Sequence, residues 1–404
     1  MTIKPAERSS SPQQPMSSQE LQHPARAIHL LTQMAVNALP QMFDEKEQLF
    51  CFKLKRTDSG MMREGISHRY TMMTLMGLHR LEQSGVHPFL EIKSVFDHLV
   101  GGLGSSGRSS WVNNTGDLGL LLWTCALLDP DRLTEVASRV DASSALTRFS
   151  GGRQGCTMES AWLLTGLSHA CLAAPARIPD FESLAVETYR RLVRNQGSEG
   201  FFGSYARNRS LKGLARGSIG SFADQVYPIY AFTQFAKAFK ESNASDRALN
   251  CAKAICNAQG PLGQWWWHYN SDTGNVINQF PVFSVHQHAM GPMALLALGD
   301  ALRSDFSPGL HQGLNWLSDN DLAFDMRDSS SQVIWRCIAR PEYRRYINAA
   351  RNALSKRDVI ESHQDLHIVF ECRPYELGWL LYAFANANAG LGSICADSSK
   401  EALN

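Results

Sequence analysis

The chain has 404 residues, 44% hydrophobic and 19% charged, a composition that supports a globular protein with a sizeable core. Its 39 basic and 38 acidic residues leave a net charge of +1, so overall charge makes no case for nucleic acid or an anionic membrane as partner. Nine scattered cysteines without a C-x-x-C pair argue against a disulfide framework and against a structural zinc site.

Residues 1–24, MTIKPAERSSSPQQPMSSQELQHP, are rich in Ser, Pro and Gln and lack an apolar signal core, so they read as a disordered leader. Residues 25–392 read as one domain and 393–404 as a flexible tail. No run of 18 apolar residues occurs, so no membrane span is expected and the expected compartment is the cytoplasm.

Helical periodicity dominates the domain. One type of helix recurs, opening with polar residues and then turning apolar on nearly every side. The copies are SHRYTMMTLMGLHRL from Ser67, NNTGDLGLLLWTCALL from Asn113 and CTMESAWLLTGLSHACLAA from Cys156. SFADQVYPIYAFTQFAKAF from Ser221, FSVHQHAMGPMALLALGDA from Phe283 and ECRPYELGWLLYAFANA from Glu371 complete six. Amphipathic helices such as HPFLEIKSVFDHLV, SLAVETYRRLVRNQ and SDRALNCAKAICNAQ lie between them. A helix that is apolar all round must be buried, and an amphipathic one can cover it. The alternation therefore predicts an all-α fold, an (α/α)6 toroid of inner and outer helices, with short β-hairpins on the rim. An open solenoid would need polar capping repeats at both ends, and none stands out.

In a toroid the inner helices run one way, so their first turns and positive dipole ends share one mouth. Those turns carry His68 and Arg69; Asn114 and Asp117; Glu159; Asp224 and Gln225; His286, Gln287 and His288; and Arg373, Tyr375 and Glu376. Any one of them is also an ordinary helix cap. As a set they predict a polar pocket. Asp224 and Glu376 are the leading acid–base pair, with Asp117 and Glu159 in reserve. For glycoside hydrolysis the pair should stand about 5–5.5 Å apart if retaining, or about 6.5–9.5 Å if inverting. In an elimination or epimerisation His286, His288 or Tyr269 would handle the proton. His286-x-His288 lacks an identifiable third ligand, so no metal and no cofactor is expected.

Trp265, Trp266 and Trp267 stand in a row before His268 and Tyr269. The turn SDTG and the β-like NVINQFPVF that follow predict a rim hairpin. Trp266 and Trp267 point opposite ways on a strand, so one can offer a stacking plate to a sugar. Asp117, Glu159, Trp266, Trp267, His268, Tyr269, Gln287, Arg373 and Tyr375 are the expected substrate contacts. Arg327 and Arg336, on a second rim loop over 318–343, are candidates for a phosphate or uronate.

QGPLGQW from Gln259 and QGSEGFF from Gln196 share the pattern Q-x3-G-x-aromatic. They resemble the QW repeat of squalene and terpene cyclases. That likeness implies a toroid; terpenoid chemistry would need a DxDD or DDxxD motif, and SDNDLAFD has the wrong spacing. The whole pattern resembles the six-hairpin toroid enzymes acting on carbohydrates: glycosidases, unsaturated uronyl hydrolases, uronate epimerases and polysaccharide lyases. SVHQHAMGPMALLAL and RPYELGWLLYAF are similar to proteins encoded beside exopolysaccharide glycosyltransferases. The resemblance implies a carbohydrate-active enzyme with a saccharide or polysaccharide partner and no nucleic acid. The alternatives are a terpenoid cyclase or prenyltransferase, and a non-catalytic glycan-binding scaffold.

Overall fold

A computed structural model describes residues 24–103, 111–142, 156–174, 179–208, 210–341 and 365–385. The expected leader, Pro24 apart, and the expected tail over 393–404 lie outside these residues.

Six helices form an inner ring: α2 (His68–Gln83), α4 (Thr115–Leu128), α6 (Thr157–Ala173), α9 (Ala223–Phe239), α11 (Gly291–Leu302) and α13 (Pro374–Phe384). Each packs against the next, and α13 packs against α2, so the ring is closed. Outside it lie α1 (Pro24–Met42), α3 (Ile92–Gly101), α5 (Leu133–Arg139), α7 (Pro179–Val193), α10 (Ser242–Asn257) and α12 (Ser307–Trp316). The fold is the (α/α)6 toroid that the alternation predicts. The sequence reading missed α1, the outer helix that completes the set.

The inner helices are buried as their composition requires; α4 buries every residue from Gly116 to Ala126. Polar residues survive inside because they bond to their own helix. The hydroxyls of Thr74, Thr124, Thr165 and Thr233 each donate to the carbonyl four residues back. Close crossings need glycine. A Cβ on Gly77 of α2 would lie 2.1 Å from the carbonyl oxygen of Gly378 in α13, and one on Gly166 of α6 would lie 2.2 Å from that of Gly119 in α4.

Connections leaving the inner helices are short; Lys240 and Glu241 alone join α9 to α10. Connections entering them are long and carry the strands, so all rim structure sits at the mouth. β1 (Phe43–Asp44), β2 (Leu49–Thr57) and β3 (Gly60–Ile66) precede α2. A short helix, α8 (Leu211–Arg216), and β4 (Ile219–Ser221) precede α9. β5 (His268–Asn270), β6 (Val276–Asn278) and β7 (Val282–Phe283) precede α11. β8 (Arg327–Asp328), β9 (Val333–Ile334), β10 (Cys337–Ala339), β11 (His367–Val369) and β12 (Glu371–Cys372) precede α13. β5 and β6 form the expected hairpin and pair with β4. β2 pairs antiparallel with β12, Lys55 opposite Glu371, which ties the start of the chain to its end where the ring closes.

The two QW-like loops are mechanical clasps. The Gln259 side-chain amide donates to the carbonyls of Gly263 and Gly309, and that of Gln196 to those of Gly200 and Arg247. Each glutamine thus fastens its own turn to the outer helix that follows. The aromatics, Trp265 and Phe202, are fully buried.

Candidate active site

Ser67 caps α2, its hydroxyl accepting from the Tyr70 N–H at 3.2 Å, so His68, Arg69 and Tyr70 fan around the first turn. They line a cleft of about 280 Å³ with Phe52, Ile66, Ser67, Trp111 and Asp117. Asn114 caps α4 and fixes Asp117 twice. Its side-chain oxygen accepts from the Asp117 N–H at 2.9 Å, and its amide donates to Asp117 Oδ2 at 2.9 Å. Arg69 donates to Asp117 Oδ1 through Nε at 2.8 Å and Nη2 at 2.7 Å. The carboxylate is held as an acceptor by two helices at once. The Arg69 guanidinium lies over Trp162, 5.3 Å from the ring centre. His68 stacks on Trp111 at 5.0 Å, and burial pushes its pKa down.

Glu159, on the first turn of α6, is the third charged group here. Gly116 lets it lie against α4: a Cβ there would meet Glu159 Cγ at 3.0 Å and Trp162 at 2.9 Å. Burial raises the Glu159 pKa; the nearby Asp117 charge raises it further and Arg69 opposes both. Among the described residues no cation lies within 4 Å of its carboxylate. One side of the mouth therefore holds an ion-paired Asp117 and, beside it, a Glu159 whose pKa burial raises.

Asp224 is committed elsewhere. It is 4% exposed, and its oxygens accept from the Met158 N–H, the Ser204 hydroxyl, and the Ser221 N–H and hydroxyl. It thereby fastens the first turn of α6 to that of α9. The bond from Ser204 leaves that hydroxyl free to accept from Arg216 Nη2 at 3.1 Å. Arg216 also donates to His268 Nε2 at 3.1 Å. The other ring nitrogen, Nδ1, lies 2.9 Å from the Asn278 amide nitrogen. Arg216 is held by neutral acceptors, and no carboxylate lies within 4 Å of it among the described residues. Its positive charge is free to meet an anion.

Glu376 is 1% exposed. It accepts from the Arg336 guanidinium and, in a capping box, from the Arg373 N–H at 3.2 Å. Burial raises its pKa against the pull of Arg336 and Arg373. Arg373 donates to the Tyr70 hydroxyl at 2.9 Å and lies over Phe52; Tyr375 packs on Tyr70 at 4.5 Å. Asp224 and Glu376 share no hydrogen-bond partner. Arg327 pairs with Asp325.

The aromatic and histidine candidates are mostly core. His286 and His288 are at most 3% exposed, and burial pushes both pKa values down to about 3. They occupy a π-turn, His286–Met290, in which the Gly291 N–H bonds to the His286 carbonyl. Gln287 ties the Trp265 loop to this turn. Trp265 stacks on Phe222 at 5.3 Å, Trp266 meets Phe280 edge-on, and Tyr269 stacks on Phe201 at 4.8 Å. Trp267 is partly exposed, lying parallel to His286 at 6.1 Å. The sequence reading did not single out Phe52, Tyr70 or Trp111 as contacts. Phe52 and Trp111 lie on rim connections, where no helical periodicity marks them.

No family model matches the chain, and no curated protein sequence does. Solved structures do share its fold. An unsaturated glucuronyl hydrolase specific for heparin superposes with a TM-score of 0.57 at 14% identity, covering 90% of this chain and 98% of its own. A possible member of the GH105 family from Klebsiella pneumoniae subsp. pneumoniae gives 0.55 at 11%, covering 97% and 99%. The unsaturated glucuronyl hydrolase of Bacillus sp. GL1, which degrades glycosaminoglycan, gives 0.56 at 12%, covering 91% and 96%. This chain has the toroid fold of those hydrolases. The likeness to terpene cyclases drawn from the QW-like loops has no support in these structures; the loops are clasps.

Proposed function

We propose that the chain is a glycoside hydrolase acting on a uronate-containing saccharide, with its chemistry at the first turns of α2, α4 and α6. One observation carries this reading: Glu159 and Asp117 are neighbouring carboxyls whose surroundings set them apart. Glu159, whose pKa burial raises, acts as the general acid. Asp117, paired with Arg69 and oriented by Asn114, stabilises the positive charge that develops at the anomeric centre. Arg216, ordered by Asp224 through Ser204 and by His268, takes the uronate carboxylate. Asp224 and His268, first read as catalytic and substrate-contacting, thus act through Arg216. Phe52, Tyr70 and Trp111 offer ring faces to the sugar. The solved structures of the same fold support the substrate class, because two of them are hydrolases of unsaturated glucuronides.

The test is hydrolysis of unsaturated and saturated glucuronyl disaccharides, followed by product mass. Turnover by the wild type and its loss in Glu159→Gln are expected. Binding of uronides without turnover by the wild type would favour a glycan-binding role instead. Undiminished turnover in Glu159→Gln would remove this assignment.

A further inference from the structure

The near-zero net charge conceals a local asymmetry at the mouth. The rim segment 205–216, YARNRSLKGLAR, holds four basic residues and no acid. Within it α8 stands in the open: Leu211 is 87% and Leu214 is 72% exposed, the two most exposed large apolar side chains among the described residues. Lys212 lies between them, exposed, over the Tyr205 ring. Arg216, the last residue of α8, donates to Ser204, which in turn donates to Asp224 on the first turn of α9, so α8 borders the mouth.

The β2–β3 hairpin repeats this composition beside the cleft. Met62 is 45%, Ile66 42% and Phe52 39% exposed, and Phe52 and Ile66 line the cleft. Lys55, Arg56 and Arg63 are exposed among them, with Asp58 the only exposed acid on the strands and their turn. Arg63 stands 3.9 Å from Asp44, whereas Lys55 and Lys212 have no carboxylate within 4 Å among the described residues; aliphatic side chains left in water beside such cations suit a surface that is anionic outside and apolar beneath. An acidic polymer would satisfy the cations and leave Leu211 and Leu214 without a partner.

We propose that the mouth face docks peripherally on an anionic lipid surface, with Leu211, Leu214 and Met62 entering the headgroup layer and Lys55 and Lys212 meeting the headgroups. No helix among the described residues is long and apolar enough to cross a membrane, so the contact is interfacial. The cleft then opens toward the lipid, and its saccharide is presented from that surface.

The experiment is co-sedimentation of the full chain with phosphatidylcholine vesicles, with and without phosphatidylglycerol, at low and high salt. Binding only to the anionic vesicles, weakened by salt, is expected. Leu211→Ser/Leu214→Ser should weaken it at least tenfold while circular dichroism and melting temperature stay those of the wild type, since both side chains are exposed. Met62→Ser on the other element should weaken it several-fold. No binding to anionic vesicles overturns the proposal. So does binding that the leucine variant leaves unchanged, or equal capture of soluble polyglucuronate by wild type and variant without vesicle binding. The readout is adsorption, so its failure is separable from failure of the hydrolase reading.

Discussion

Between α9 and α11, the mouth is packed with Trp265, Trp266, His286 and His288, none more than 6% exposed. Across α2, α4 and α6, it is open and lined by Arg69, Asp117, His68 and Trp111. Both arcs are rich in aromatic and titratable residues, but among the described residues the cleft lies in the second. In the closed arc the rings fill the wedge between inner helices and rim strands, and the histidines are neutral parts of that filling. In the open arc, the first turns of α2 and α4 line the cleft, and Glu159 of α6 packs beside Gly116 of α4. Density of interesting residues marks the core here, and an unfinished charge pattern marks the site.

The comparison breaks most sharply on Glu159→Gln. Loss of general acid catalysis should cut kcat by about 10⁴-fold, roughly 5.5 kcal/mol, with the melting temperature unchanged or raised. Asp224→Asn, acting through Arg216, should raise KM for a uronide more than it lowers kcat. If Asp224→Asn is dead and Glu159→Gln active, the chemistry belongs to the other arc.

Arg336→Met leaves Glu376 buried without its cation and should cost about 3–5 kcal/mol of stability in denaturant melts. Activity per folded molecule should persist. A selective loss of turnover with normal stability would instead give Glu376 a chemical role.

Acid should destabilise the ring of inner helices. His169, His286 and His288 are held neutral, each pushed down to about 3 by burial. The unfolded chain binds their protons below an ordinary histidine pKa of about 6.5, so stability is full above that pH and falls as pH drops toward 3. Each contributes a slope of about 1.4 kcal/mol per pH unit. His288→Leu should lower the histidine slope by one third and leave turnover at neutral pH unchanged.

The smallest effect tests the clasps. Gln259→Ala and Gln196→Ala each remove two hydrogen bonds to backbone carbonyls and should cost about 1–2 kcal/mol, without altering KM.

Much of the ring was legible because it follows from local pattern. Helices apolar on every face must be inner, and all six fall where the sequence places them. The β5–β6 hairpin and the clasp role of Gln259 and Gln196 were also legible, since turn chemistry is local. α1 was missed because it abuts the Ser- and Pro-rich leader and has no repeat partner before it. The site was legible as a class, polar first turns at one mouth, and illegible as individuals.

Sequence alone determined that six apolar helices need a mutual core and that their first turns would carry polar groups. Tertiary structure decided what each of those groups became. A first-turn carboxyl is a clasp, half of a buried pair or the ion-paired wall of an open cleft according to the side chain that reaches it from another part of the chain. Ser204 and Ser221 reach Asp224, Arg336 reaches Glu376 and Arg69 reaches Asp117. Such encounters depend on distances that close only when the ring does, and no periodicity in the sequence records them.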